Sequence, residues 1–595
     1  MPHGLLGNRG LIAIIAQGEI DPLGHPLGAG NRLIVATGPL AGTAVSSAAR
    51  ISVGGKSPLT GGIKEANGGG EAGRALASLD LRAIIVEGLP PRGPDGKAPL
   101  RLLVVSEEGA HLEEAGALAG KGTYETAALL RSWYGERAAL LIIGPAGEMR
   151  LPTAGVFATD PDGQPGRACA RGGMGAVMGA KGLKAIVIVP GNHRPKPAQP
   201  ERFRKAAAEF HRLLRETPQT GKFYREYGTA YSVGALNALG AMPTRNFTVG
   251  SFEHADALSG ERLRELMLER GGKPVHACMR GCIIQCSNVY VDGTGRPLVS
   301  PLEYETLVLM GSNLGIGDPD QIARLNYLAN DIGVDTIETG AAIGLLMGEG
   351  EVPFGDGATV ARLLEEIRRG SAIGRLIGCG AATVGRALGT PRVPVVKGQS
   401  FAAHEARAVK GMAITYGMTP MGADHSTGVT FRAKVDHSRP EGQMELSRDT
   451  QVRVAAYDAL GFCLFVTPAV GPRPEVTVEL LNAMYDLSLP PDYITDLGKW
   501  VILTERAFNL AAGLGPAHDR LPEFMYTEPL PPTGLVVDIP QEDLDRYWEA
   551  EYWGTSADLL SEAAAGSRPT ACCGCGRGAE QPDQETTQGR DGCGD

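Results

Sequence analysis

The densest chemistry in this sequence is the run His276-Ala-Cys278-Met-Arg-Gly-Cys282-Ile-Ile-Gln-Cys286, which sets three thiols at intervals of four residues. Thiolates so spaced suit an iron-sulfur cluster or a structural zinc, with a fourth ligand brought from elsewhere by folding. Clustered zinc thiolates usually come as two short pairs, so the cluster is the favoured expectation. The candidate fourth ligand is Cys463, in the phrase Asp458-Ala-Leu-Gly461-Phe-Cys463. An earlier phrase, Asn330-Asp-Ile-Gly333-Val-Asp335, repeats that design. In each, a polar residue precedes by three positions a glycine suited to the left-handed end of a helix, and a ligand-type side chain follows by two. An aspartate in a helix's last turn faces the negative end of the dipole, so Asp458 needs a donor-rich partner. Asp335, three residues ahead of Glu338, fits equally well as the N-cap of a capping box.

Two glycine-rich segments add a second kind of chemistry. One runs from Lys56 to Gly70 and includes Asn67 and Gly68; the other is Arg171-Gly172-Gly173-Met-Gly175 and its continuation to Lys181. Glycine backbones approach anions closely and a neighbouring cation adds charge, so each segment reads as a phosphate cradle or as an ordinary tight turn. Neither has Walker or Rossmann spacing, which leaves ATP and NAD unsupported.

The elements that must position these residues change character along the chain. Up to about residue 195, short β-branched runs alternate with glycine and proline turns, as at Arg32 to Thr37, Ala83 to Glu87, Leu102 to Ser106, Ala139 to Ile143 and Ala185 to Val189. Beyond a polar linker from Pro190 to Pro200 the period becomes helical, with Phe203, Ala206, Ala207, Phe210 and Leu214 behind Pro200 and Glu201. A further helix opens at Asp318 and Pro319 and stops at Gly333. The reading is α+β: a sheet-rich domain over 1–195, helical domains over 196–395 and 396–566, and a flexible tail over 567–595. That tail holds Cys572, Cys573, Cys575 and Cys593 among almost no large apolar residues.

Composition narrows the function. Of 595 residues, 57 are Lys or Arg and 67 are Asp or Glu, a formal net charge of -10 that disfavours nucleic acid and anionic membranes as partners. No stretch reaches the roughly 18 apolar residues of a membrane span, so a cytoplasmic protein acting on a small molecule is expected. Ten cysteines in so long a chain are too sparse for a disulfide scaffold.

From about Gly7 to about residue 540 the chain resembles the aldehyde:ferredoxin oxidoreductase family. The resemblance rests on Ala36-Thr-Gly-Pro-Leu-Ala-Gly-Thr43, Lys56-Ser-Pro-Leu-Thr-Gly61, Arg171-Gly-Gly-Met-Gly-Ala-Val-Met-Gly179, Glu303-Tyr-Glu305, Gly333 to Gly340, Asp424-His425 and Asp458 to Cys463. It implies a double-sheet base domain closed over by two helical domains. It also implies tungsten, or molybdenum, on two pterin dithiolenes beside a four-iron four-sulfur (4Fe-4S) cluster. Cys278, Cys282, Cys286 and Cys463 would hold the cluster, and Asp335 and Asp458 the pterins. Arg50 would stand between cluster and pterin, while Asn67, Gly68, Arg171, Gly172 and Gly173 would hold phosphates and their magnesium. Glu303 or Glu305 would be the general base and His425 the group facing the aldehyde oxygen.

Three departures from the family pattern matter. Met279, Arg280 and Gly281 place three residues between the first two cysteines instead of two, so the loop must bulge. Asn330 replaces an aspartate, which weakens that pterin contact or shifts it to Asp331. The customary first strand is missing from the N-terminus. The resemblance implies oxidation of an aldehyde, with electrons leaving to ferredoxin or a small iron-sulfur subunit; a homodimer is the base-rate expectation. The alternatives are a reductase of acids or aromatic acyl thioesters within a larger complex, and a pterin-free electron-transfer scaffold.

Overall fold

The β-branched runs do become strands. In the computed structural model, which describes residues 3–91, 93 and 98–554, the five expected strands are Leu33–Thr37, Ala83–Val86, Arg101–Ser106, Ala139–Ile142 and Leu183–Ile188. They fall into two sheets. One is antiparallel, in the order Ile63–Gly68, Ile51–Lys56, Leu33–Thr37, Ala83–Val86. The other is mixed, in the order Gly109–Glu114, Arg101–Ser106, Leu183–Ile188, Ala139–Ile142, Val156–Ala158, Arg167–Cys169. Alternation assigns the faces: Ile186 and Ile188 meet Val35, Val53 and Ile51 of the first sheet, while Ala185 and Val187 turn to Leu130 of helix Thr123–Tyr134.

The first glycine-rich segment is not a free loop. Ile51–Lys56 and Ile63–Gly68 pair as a hairpin whose turn closes through Ser57 N–H to the Gly62 carbonyl at 2.8 Å. Gly54 in that hairpin admits a neighbour's side chain: an added Cβ would lie 2.5 Å from Ile12 Cγ2 of helix Asn8–Glu19. This helix packs against strand Ile51–Lys56. Its Ile12 and Ala16 pack with Ile34, Ile63, Met421 and Phe508, tying the first sheet to helix Tyr493–Ala511.

Helix Pro200–Glu216 begins at the expected proline and packs against Pro474–Tyr485. Helix Pro319–Ile332 is capped by Asp318, which accepts the Asp320 N–H at 2.9 Å, and it ends on Gly333 at φ 84°. Asp335 caps Thr336–Gly348 by accepting from Ile337 and Glu338 N–H at 3.0 and 3.2 Å. The capping box does not close, however. Glu338 instead accepts from Ala381 and Ser400 N–H at 2.9 and 2.8 Å, drawn inward to satisfy those buried donors.

A three-stranded sheet, Lys273–His276, Ser287–Val291 and Pro297–Val299, interrupts the helices, and its first connection carries the three clustered thiols. The architecture is thus α+β, with N-terminal sheets and a mainly helical remainder. Among the described residues no single helix is long and apolar enough to cross a membrane. Residues 567–595, including Cys572, Cys573, Cys575 and Cys593, lie outside the described residues.

Candidate active site

The loop between strands Lys273–His276 and Ser287–Val291 bulges as its spacing requires, with Gly281 at φ 82° and Gln285 at φ 52°. It brings Cys278, Cys282 and Cys286 beside Cys463, which follows helix Gln443–Ala459. The link runs through Ser47: its carbonyl accepts the Cys463 N–H at 2.9 Å, and its hydroxyl lies 3.5 Å from Cys282 Sγ. All four thiols are free. Burial, then the neighbouring Cys282, pushes Cys278 up to about 12. Cys286 is raised by burial and by Cys278 and Cys463, and Cys463 is raised by burial against the pull of Arg50.

Cys278, Cys286 and Cys463 therefore resist ionisation unless a polycationic group accepts their charge, which is how an iron-sulfur core binds. Sulfurs around one zinc ion at roughly 2.3 Å would lie within about 4 Å of each other. No such single-ion group stands among the described residues.

Arg50 bridges this thiol group to the next layer. It is held by Asn67, whose side-chain oxygen accepts from Nε and whose carbonyl accepts from Nη2 at 3.3 Å. Its charge faces Cys463, Cys278 and, on another side, Asp458. Asp458 is pushed up to about 8 by burial and by the buried carboxyl of Glu65, against Arg9 at 3.4 Å. Arg9 is already bidentate on Glu505, at 2.7 and 2.9 Å, which leaves Asp458 short of donors. A pterin's adjacent N–H donors fit that deficit.

The other glycine bend is laid out differently. Asp335 faces Arg171, whose Nε is 3.5 Å from Oδ2 and buried without a hydrogen-bond partner. Arg171 is a hub rather than a phosphate arm, because Asp424, Asp335, Glu338 and Glu305 surround it. Asn330 donates to the Tyr124 hydroxyl at 3.4 Å, and Asp331 pairs with Arg368 at 2.8 Å; neither is brought to Asp335 and Arg171.

The phosphate and magnesium expectation fits less well. Asn67 Oδ1 is taken by Arg50, and the Gly172 carbonyl accepts from Ser57 Oγ at 2.7 Å. Gly68 packs on Cys169 Sγ, Gly172 on the Lys64 chain and Gly173 on Pro58 and Pro152, so these glycines serve close packing. A magnesium ion would have to displace both oxygen contacts.

Glu303 and Glu305, two residues apart, serve opposite sides. Glu303 is raised by burial, faces Arg167 and Arg50, and adds its charge to the surroundings of Cys286 and Cys463. Glu305 pairs with His425, Oε1 to Nε2 at 3.1 Å, each side chain keeping 19% of its surface open. Burial first, and then Asp424 and Asp335, raise Glu305 to about 8 despite Ala403 N–H and Arg171. His425 falls to about 4 through burial, with Arg171 and Arg432 opposing the pull of Asp424. At neutral pH the pair is a carboxyl beside a neutral imidazole, whose Nδ1 is buried without a partner.

Several residues of this site escaped the sequence reading. His404 Nδ1 lies 3.6 Å from Glu305 Oε1, with its ring stacked on His425 at 5.6 Å. Lys64 pairs with Asp424, which it and Arg171 hold well below the usual carboxylate range against the effect of burial. The one available signal for His404 was a titratable side chain in the apolar run Phe401-Ala-Ala-His404.

Comparisons with known proteins identify the family. The family model described as "Aldehyde ferredoxin oxidoreductase, N-terminal domain" matches residues 2–190, and that for "domains 2 & 3" matches residues 205–561. This chain belongs to the aldehyde ferredoxin oxidoreductase family. It is an oxidoreductase. The tungsten-containing aldehyde ferredoxin oxidoreductase of Pyrococcus furiosus is 32% identical over 585 residues, covering 94% of this chain and 93% of that protein. The Pyrococcus horikoshii protein of the same name is 33% identical over 588 residues, with the same coverage. A WOR-like subunit of an aliphatic sulfonate oxidoreductase from Pyrococcus furiosus is 27% identical, over 88% of this chain and 85% of that one. The family's fold also extends to the active site complex BamBC of benzoyl coenzyme A reductase, with a TM-score of 0.75 at 18% identity over 94% of each chain.

Proposed function

We propose that this chain is a tungsten- or molybdenum-pterin enzyme that oxidises aldehydes to carboxylic acids. Its electrons leave through a 4Fe-4S cluster to ferredoxin or a small iron-sulfur subunit. The observation that carries the reading is the Glu305–His425 pair at 3.1 Å, open to water and backed by Arg171. The named activity of the tungsten-containing relatives supports it. Asp335 and Asp458 would hold the pterins, and Cys278, Cys282, Cys286 and Cys463 the cluster. When bound, the metal would supply a Lewis acid and a two-electron sink.

The protein's own part is proton traffic and aim. The net change is RCHO + H2O → RCOOH + 2 e⁻ + 2 H⁺. Glu305 takes the proton of the attacking water, and a carboxyl poised near 8 both accepts and returns a proton close to neutral pH. While Glu305 is ionised its Oε1 faces His425 Nε2 at 3.1 Å as an acceptor, and once it has taken the proton it stands as a carboxyl beside the neutral imidazole. The His425 ring, 19% open beside Glu305, is the group that can hydrogen-bond the aldehyde oxygen as charge grows there.

Electrons would leave on the side of the thiols. A cavity of about 290 Å³ opens beside Ser47, Met279 and Gly281, with Arg74 and Arg280 at its mouth. The adjoining cleft adds Arg137 and Arg194 together with Glu71, Glu136 and Asp160, and Arg280 pairs with Glu71 at 3.2 Å. With four arginines against three carboxylates the rim has mixed charge, which suits a carrier protein docking through complementary pairs of both signs.

Metal analysis and dye reduction test the reading together. About one tungsten or molybdenum and about four irons per chain, with aldehyde-dependent viologen reduction, are expected. Zinc alone without dye reduction overturns the proposal, and activity only with a thioester substrate and added subunits would move it to the reductase reading.

A further inference from the structure

Arg432 is a cation without a counter-ion beside the Glu305–His425 pair. Its guanidinium carbon lies 5.1 Å from the Phe431 ring, 5.3 Å from Tyr224 and 5.6 Å from Phe465. Among the described residues no carboxylate or hydrogen-bond acceptor stands on it, and its Nε is closed off from solvent without a partner. Aromatic faces favour a cation, but they offer its N–H groups no strong acceptor. A dry guanidinium donor with no acceptor is what a bound anion would satisfy.

A chain of ring contacts connects this arginine to the reacting groups. Phe431 lies 5.1 Å from His404, His404 lies 5.6 Å from His425, and His425 is 3.1 Å from Glu305. The charge of Arg432 reaches both imidazoles, adding to burial in keeping each neutral. No other residue at this wall uses it: the nearby cations Lys64 and Arg171 are committed to Asp424 and to Asp335.

We propose that Arg432 is the anion anchor of the substrate site, so that the preferred aldehyde carries a second, carboxylate group that the guanidinium takes while the carbonyl faces His425 and Glu305. This rests on the aldehyde-oxidation reading. A planar five-donor fork matches a carboxylate bidentately, and the half-buried rings of Phe431 and Phe465 offer an apolar surface for the spacer between the two ends. The reaction is unchanged: ⁻OOC–R–CHO + H2O → ⁻OOC–R–COOH + 2 e⁻ + 2 H⁺.

The test compares 4-carboxybenzaldehyde with benzaldehyde, using the metal-loaded enzyme and viologen as acceptor. The wild type is expected to favour the carboxylated aldehyde in kcat/KM by about tenfold or more, mainly through KM, and less so at high salt. Arg432→Met should lower the ratio of the two kcat/KM values by about tenfold, and Arg432→Lys should restore part of it. Equal use of both aldehydes by the wild type, or an unchanged ratio in Arg432→Met, overturns the anchor. If neither aldehyde is oxidised, the functional reading fails and the anchor is judged by calorimetric binding of terephthalate: binding lost in Arg432→Met supports it, and equal binding overturns it. Should Arg432→Met not fold, Arg432→Gln takes its place in both measurements.

Discussion

The two glycine bends share a backbone latch and differ in the side chains they offer inward. The Gly333 carbonyl accepts from Gly155 N–H at 3.0 Å, while Asp335 N–H donates to the Thr153 carbonyl at 2.9 Å. The Gly461 carbonyl accepts from Arg50 N–H at 3.1 Å, while Cys463 N–H donates to the Ser47 carbonyl at 2.9 Å. Each glycine also presses on a glycine of the sheet domain: an added Cβ would lie 2.6 Å from Gly144 N in one case and 2.5 Å from Gly38 Cα in the other. Past the latch they diverge. The first bend presents Asp335, two residues after its glycine, to Arg171; the second presents Asp458, three residues before its glycine, and sends Cys463 to the thiols. Backbone bonds hold the bend whatever its side chains are, so one docking device can serve two chemistries.

Removing Cys463 should separate those chemistries most sharply. In Cys463→Ser the iron content is expected to fall from about four per chain to near zero, with loss of visible absorption. Asp335→Ser should retain its iron, since a serine still caps the helix and no thiol is touched. Iron retained in Cys463→Ser would break the division of labour between the bends.

The latch itself predicts equal, smaller damage. Gly333 and Gly461 sit at φ 84° and 74° with no space for a methyl group, so alanine at either should cost about 3 kcal/mol. In a chain of this size the measurable quantity is the drop in unfolding temperature. Closely similar drops are expected, and a large inequality would show that one latch carries more of the docking than the other.

What the sequence revealed and what it hid follow the same divide between local and long-range chemistry. Helix ends at Asp318, Gly333 and Asp335 were legible because caps are local. The thiols were legible because cysteine is scarce and its spacing chemically specific. The pairing of Glu305, rather than Glu303, with His425 was not, because it depends on which way each side chain leaves the start of helix Tyr304–Leu309. Arg9 with Glu505 and Lys64 with Asp424 join residues 496 and 360 positions apart, and no periodicity encodes such a meeting. The hairpin at Ile51–Gly68 was missed because its strands are rich in glycine and charge, and packing overrides weak strand propensity there.

The second bend's carboxylate makes a pH prediction. Asp458 stands near 8 in the folded chain against an ordinary carboxylate value when unfolded, so the folded state binds its proton more tightly. Its contribution to stability is fully present below about pH 4 and is lost as the pH rises through about 8. In ligand-free protein, Asp458→Asn should therefore flatten the decline in unfolding temperature between those limits, yet load less molybdenum or tungsten than the wild type. An unchanged slope would mean that Arg9 already neutralises the carboxylate.

The smallest effect is expected at the first bend's polar residue. Asn330 occupies the place that Asp458 holds in the second phrase, but its amide reaches only the Tyr124 hydroxyl at 3.4 Å, and the bond from Thr123 Oγ1 goes to its main-chain carbonyl. Alanine keeps that carbonyl and loses one long hydrogen bond, so Asn330→Ala should cost about 1 kcal/mol or less and leave metal content near the wild-type level. A loss of metal comparable to that in Asp458→Asn would show that both bends bind cofactor through the residue before the glycine. Asp335 would then be a helix cap rather than the inward ligand, and the two phrases would be alike in chemistry as well as in backbone.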